Sequence, residues 1–159
     1  MAITTTIASS INTVETLADG SIGSNNTVTH TGYDESNALN GGTTPPATVC
    51  AFFLGALAAG AKTIDLTALS GTNGATVSGT GLKVQAFRVK NLGANAMTFT
   101  VGASNGYELA GAGWKLILAS GQYAMIYGND ATPDVAAGAK TIDVSGTGTQ
   151  TFECSIILG

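Results

Sequence analysis

From residue 47 onward, apolar and polar residues alternate with a period of two. Met97, Phe99 and Val101 fall on one side of an extended segment, and Thr98 and Thr100 on the other. Phe152, Cys154, Ile156 and Leu158 share a side opposite Glu153 and Ser155. This period marks a half-buried strand, because successive side chains of a strand point to opposite faces. Eight segments read as strands: 47–54, 61–67, 82–90, 96–102, 114–118, 122–128, 139–144 and 150–158. Turn signals separate them, among them Gly71-Thr72-Asn73-Gly74, Gly93-Ala94-Asn95, Ser104-Asn105-Gly106, Ser120-Gly121 and Gly128-Asn129-Asp130. Within 82–90 the phase slips. Leu82, Val84 and Ala86 point one way, Phe87 and Val89 the other, which predicts a β-bulge that bends the strand. No stretch beyond residue 60 predicts a long amphipathic helix. The prediction is an all-β fold, a two-sheet jelly-roll-like sandwich over residues 47–159, with an immunoglobulin-like Greek key as its nearest competitor.

The pattern also repeats. Ala58-Ala59-Gly60-Ala61-Lys62-Thr63-Ile64-Asp65 recurs letter for letter as Ala136-Ala137-Gly138-Ala139-Lys140-Thr141-Ile142-Asp143. Each copy is followed by Ser-Gly-Thr-Gly, at Ser78–Gly81 and Ser145–Gly148, and then by an alternating apolar segment. One unit of strand, glycine turn and strand is therefore predicted to be used twice. Its most repetitive residues are those of backbone geometry.

Residues 1–46 read differently, as an extended N-terminal arm. Ile3–Ala8 predicts a short strand, and Asn12-Thr13-Val14-Glu15 a capping box opening one helical turn. Asp19–Asn26 is turn chemistry, Asn26–Gly32 a polar extended segment, and Asn40-Gly41-Gly42-Thr43-Thr44-Pro45-Pro46 a stiff stop. Such a segment buries little by itself and is expected to lie over the domain or over a neighbour. Its charge is one-sided. Glu15, Asp19, Asp34 and Glu35, with no Lys or Arg before Lys62, give the first 61 residues a net charge of -4; six acidic and six basic residues leave the remainder neutral. No basic surface for nucleic acid is expected.

Charged residues make up 10% of the chain, against about 25% in an ordinary soluble domain. A chain this poor in charge either relies on Thr, Ser and Asn for solubility or hides its surface against partners. No membrane span is expected: the longest apolar run, Ala47–Ala59, is broken by Thr48 and Gly55 and falls short of the roughly 20 residues a bilayer requires. The start has neither a basic nor a continuous apolar region of a signal peptide, so synthesis in a cytoplasm is expected. Cys50 and Cys154 are then expected as two buried thiols, with a disulfide open to them if the first and last core strands adjoin.

Candidate chemistry is sparse. His30 with Asp34 and Ser9 or Ser10 is the only imaginable triad, and it sits in a segment too glycine- and threonine-rich for catalytic tolerances. Cys50 lacks a nearby base and runs into Ala51-Phe52-Phe53-Leu54, which reads as core. Paired Cys or His spacings for zinc do not occur; Asp130 with Asp134, or Asp34 with Glu35, offers too few ligands for a closed calcium loop. Gly111-Ala112-Gly113 and Gly79-Thr80-Gly81 fail the dinucleotide fingerprint. Tyr123, Met125 and Tyr127 share a strand face and read as core or subunit contact; with Trp114 and Tyr107 they are the residues a sugar-binding reading would need. No enzyme, catalytic residue, cofactor or metal is expected.

Thr44-Pro45-Pro46, Ala61–Leu69, Gly79–Gln85, Gly102–Tyr107 and Lys140–Gly148 together resemble small structural proteins of tailed phages and prophages. The resemblance is greatest to capsid decoration, or cement, proteins, and spans the chain from about residue 10 onward. It implies a jelly-roll domain, often a homotrimer, on the exterior of the virion capsid, tying neighbouring major capsid protein subunits together. The family has no catalytic motif to carry over. A head-fibre or tail-associated glycan-binding adhesin is the alternative from a different class.

Overall fold

The computed structural model describes residues 3–18, 25–32, 34–71, 73–127 and 130–159; the turn signals at 19–24, 72 and 128–129 lie outside them. In chain order the strands are β1 (Thr4–Ser10), β2 (Thr13–Ala18), β3 (Asn25–His30), β4 (Asp34–Asn40), β5 (Val49–Ala56), β6 (Ala61–Asp65) and β7 (Leu69–Ser70). They continue with β8 (Thr76–Val77), β9 (Val84–Asn91), β10 (Met97–Val101), β11 (Lys115–Leu118), β12 (Tyr123–Tyr127), β13 (Thr141–Ser145) and β14 (Thr151–Leu158). All eight strands expected beyond residue 47 are present. Helices are absent among the described residues.

Two four-stranded antiparallel sheets form the body, ordered β12-β9-β14-β5 and β11-β10-β13-β6. The first and last strands of the body, β5 and β14, pair; inside them pair β6 with β13, β9 with β12, and β10 with β11. These are the nested pairs of a long hairpin. Rolling that hairpin adds the pairs β9·β14 and β10·β13 and splits it into two sheets. This is jelly-roll strand order, not immunoglobulin order.

The inner faces interlock through aromatic residues. Phe99 from one sheet meets Phe152 from the other edge-to-face, with centroids 5.4 Å apart at 88°. Phe87 meets Trp114 at 6.3 Å and 71°. The polar ends of the buried rings are satisfied, as burial demands. Trp114 Nε1 donates to the Tyr107 carbonyl at 2.9 Å, and Tyr107 Oη donates to the Pro133 carbonyl at 2.8 Å while accepting from Val84 N at 3.0 Å. Trp114 and Tyr107 thus peg the long 102–114 connection to the core, which removes them from any sugar-binding surface.

The predicted bulge lies at Gln85. Ile157 pairs with Ala86 and Leu158 with Val84, so Gln85 has no partner across the ladder. The extra residue lets Val84 and Phe87, three apart, both enter the main core, while Ala86 turns outward.

The two octapeptides pair with each other. Ile64 lies opposite Ile142, Thr63 opposite Asp143, and Asp65 opposite Thr141, a local two-fold relation between identical sequences. Thr63 Oγ1 donates to Asp143 Oδ1 at 2.7 Å, and Lys140 Nζ lies 2.9 Å from Asp65 Oδ2. The segments that follow, β9 and β14, pair as well. In each Ser-Gly-Thr-Gly the last glycine, Gly81 or Gly148, is left-handed, at φ 77° and 64°; that region penalises any residue with a Cβ. The unit is used twice, and its copies are each other's partners.

The arm is not a tail. β1 pairs with β4 and β2 with β3, making a long hairpin interrupted after β1 at residues 11–12 and after β3 at residues 31–32, with the register differing by one between the two ladders. The helical turn expected at Asn12–Glu15 is instead the start of β2. Asn12 Nδ2 bonds Ser10 Oγ at 2.8 Å rather than capping a helix, and β3 supplies ladder partners. At the base of the hairpin Ile7 and Leu39 are buried with Ala47, Ala86 and Ile157 in a second, smaller core. The chain enters the sandwich through the turn at 41–48, where Ala47 N donates to the Asn40 carbonyl at 2.9 Å. The β7–β8 hairpin was not expected from the sequence.

Candidate interaction surface

The outer faces of the two sheets differ. On β6, β13, β10 and β11 the outward residues are mostly polar: Thr63, Asp65, Asp143, Thr98, Thr100 and Lys115, with Ile117 as an exception. That is the ordinary solvated face of an antiparallel sheet.

On the other sheet the registers line the outward side chains into three rows. Tyr127, Ala86, Ile157 and Cys50 form one; Met125, Arg88, Ser155 and Phe52 the next; Tyr123, Lys90, Glu153 and Leu54 the third. The base of the arm covers the first row through Ile7 and Leu39. The other two rows stay open, and Leu54 is 71% exposed, Tyr123 65%, Phe52 47% and Met125 36%. Phe52 and Leu54, read from sequence as core, therefore face out; Ala51 and Phe53 take the inner side.

Charge sits in the middle of these rows. Arg88 Nη1 is 3.8 Å from Glu153 Oε2, and the Arg88 guanidinium lies 5.4 Å from the centroid of the Tyr123 ring. A long ion pair between half-exposed groups contributes little, and the position of Arg88 over the Tyr123 ring adds a cation–π contact. Between β1 and the open rows runs a groove of about 610 Å³ lined by Thr5–Ile11, Phe52, Arg88, Tyr123 and Met125, among others.

The remaining candidates do not gather into a reactive site. His30 Nε2 lies 3.5 Å from Glu15 Oε2, both exposed on the arm, while Ser10 is engaged by Asn12. Cys50 and Cys154 are free thiols; their strands adjoin, but Cys50 faces the arm and Cys154 the main core. Burial pushes the Cys154 thiol far above its ordinary pKa and leaves it inert. Asp130 Oδ1 accepts from Gln85 Nε2 at 3.2 Å, and the Asp130 carbonyl accepts from Lys83 Nζ at 2.8 Å. No group of three or more His, Cys, Asp or Glu residues placed to hold a metal occurs among the described residues. Among the described residues, Asp65 is the carboxylate with a clear shift. Partial burial works against its charge, yet the Thr67 hydroxyl, the Lys140 ammonium and the Thr67 N–H hold its pKa below the usual range.

No protein-family model, curated protein or solved structure matches the chain.

Proposed function

We propose that the chain is a virion structural protein, a decoration or cement protein that sits as a homotrimer on the outside of a tailed-phage head and ties neighbouring major capsid subunits together. The observation that carries this reading is the contrast between the two sheets. One outer face is solvated; the other presents Phe52, Leu54, Tyr123 and Met125 beside a projecting hairpin. Exposed apolar side chains gathered on one face and interleaved with polar ones suit a protein–protein contact. A rigid sandwich with an apolar face and an arm suits adhesion between subunits, and the resemblance of the repeated strand motifs to phage cement proteins gives that adhesion its setting. Cementing requires only interface area. A standard interface buries about 1,600 Å² in total, and icosahedral symmetry repeats it over the whole shell.

The test is reconstitution on purified mature heads lacking this protein. Saturable binding at a copy number set by the capsid lattice, with DNA release moved to higher temperature, is the expected outcome. Heads equally robust with and without bound protein refute the cementing role. Copy numbers of only a handful per particle place the chain at the tail or a fibre instead.

A further inference from the structure

The groove beside β1 has an apolar floor made by Phe52, Tyr123 and Met125, with Arg88 at its centre. Arg88 spends one nitrogen on the 3.8 Å contact with Glu153, which leaves most of its five N–H donors for another acceptor. Complementary chemistry sits at the far end of the arm. Register places Glu15 directly opposite Val28 across β2 and β3, so a carboxylate and an isopropyl group share one face. Both are exposed, Val28 by 41%. An isolated two-stranded hairpin is marginal in water, and this one holds Ile11, Val14 and Val28 in solvent.

The base of the arm already shows how the hairpin seats on this sheet, since Ile7 and Leu39 are buried against Ala86 and Ile157. The open rows continue that contact without a break. The tip cannot fill them within its own chain: β1 forms the groove's wall, and β2 follows after only Ile11 and Asn12, too short a link for the ladder to double back.

We propose that the outer part of the arm of one copy, β2 with β3, docks in the groove of a second copy, with Glu15 against Arg88 and Val28 over Met125 and Tyr123. The acidic arm meets the basic centre of the neighbouring sheet, and charge sets the register while the apolar side chains hold it. Each copy donates one tip and accepts one, which a closed symmetric oligomer satisfies at every subunit. This inference rests on the homo-oligomer of the proposed function and not on the capsid.

The experiment uses two differently tagged full-length chains, both carrying Cys50→Ser, one with Val28→Cys and the other with Tyr123→Cys, co-expressed and oxidised. The expected product is a disulfide-linked pair containing both tags. Arg88→Glu in the acceptor should abolish the crosslink and weaken association about tenfold or more in sedimentation equilibrium. Glu15→Arg in the donor should restore both. Near-ultraviolet circular dichroism of buried Trp114 checks that each variant is folded. An oligomer that gives no crosslink between copies overturns arm exchange and leaves self-association standing. A chain that stays monomeric up to its solubility limit overturns both, and a crosslink formed within a single chain carrying both cysteines overturns arm exchange.

Discussion

Gly55 fixes the strand that carries Phe52 and Leu54, so replacing it tests the geometry of the interaction surface. It lies directly opposite Phe152 in the β5·β14 ladder. A Cβ added there would stand 2.2 Å from Phe152 Cζ and 2.6 Å from two further ring carbons. The ring has nowhere to retreat: Phe152 is fully buried and held edge-to-face by Phe99. Two effects of Gly55→Ala oppose each other. Alanine in a strand is favoured over glycine by about 0.5–1 kcal/mol. Overpacking a well-filled core costs about 1–3 kcal/mol, and disrupting the aromatic pair about 0.5–1.5 kcal/mol more. The clash wins, with a net loss of about 2 kcal/mol, or about 4–8 °C in Tm for a chain of this length. The assay is thermal unfolding at one fixed protein concentration, because association also moves Tm. Gly138→Ala is the internal control. Nothing lies within 4 Å of a Cβ there and the backbone is not left-handed, so that variant should be neutral or slightly stabilised. Phe152→Leu should partly rescue Gly55→Ala in a double-mutant cycle. A Gly55→Ala protein as stable as the parent would show that β5 does not pack against Phe152 as described, and the outward placement of Phe52 and Leu54 would fall with it.

Three further outcomes rest on the burial of single side chains. A thiol reagent should modify half-buried Cys50 in the native protein and reach Cys154 only on unfolding, giving one equivalent and then two. Burial raises the Tyr107 phenol above its ordinary value, with Asp134 adding to the rise and hydrogen bonds from Thr132 and Val84 only partly opposing it. The stability it contributes is intact below about pH 10 and lost as pH climbs past that value, so alkaline absorbance titration should show one late tyrosine that Tyr107→Phe removes. Asp65 runs the other way: with its pKa depressed in the folded state, its contribution is present above about pH 4 and lost as pH falls through the lower folded value. Asp65→Asn should flatten the acid limb of a plot of urea midpoint against pH.

The strands of the body were legible because their alternation has a physical cause. Met97, Phe99 and Val101 must all face one core, and the slip between Ala86 and Phe87 could only be absorbed by an extra residue, which proved to be Gln85. The arm was illegible for the opposite reason. Thr, Ser and Asn on both faces leave no period to read, and the strand character of Thr13–Ala18 comes from its partner Asn25–His30 rather than from its own pattern. A local capping signal therefore lost to a ladder formed at longer range.

The surface was half legible. Tyr123, Met125 and Tyr127 were visible as a shared face, but β12 also carries Ala124 and Ile126 on the other, and β5 sets Cys50, Phe52 and Leu54 against Ala51, Phe53 and Gly55. When both faces are apolar, alternation cannot say which is inside. Fit decides. On β5 the inner side takes the small Gly55 because Phe152 needs the space above it, and on β12 it takes Ala124, so the larger Phe52, Leu54 and Tyr123 are sent outward. An antiparallel sheet commonly packs one face on the core and leaves the other solvated, so apolar residues on both sides of β5 and β12 are unusual. One side of this sheet is covered by the opposing sheet, and the arm base roofs a single row of the other. The two remaining rows stay open, with Phe52, Leu54, Tyr123 and Met125 exposed among Arg88, Lys90, Glu153 and Ser155, and it is on these strands that the proposed adhesive role rests.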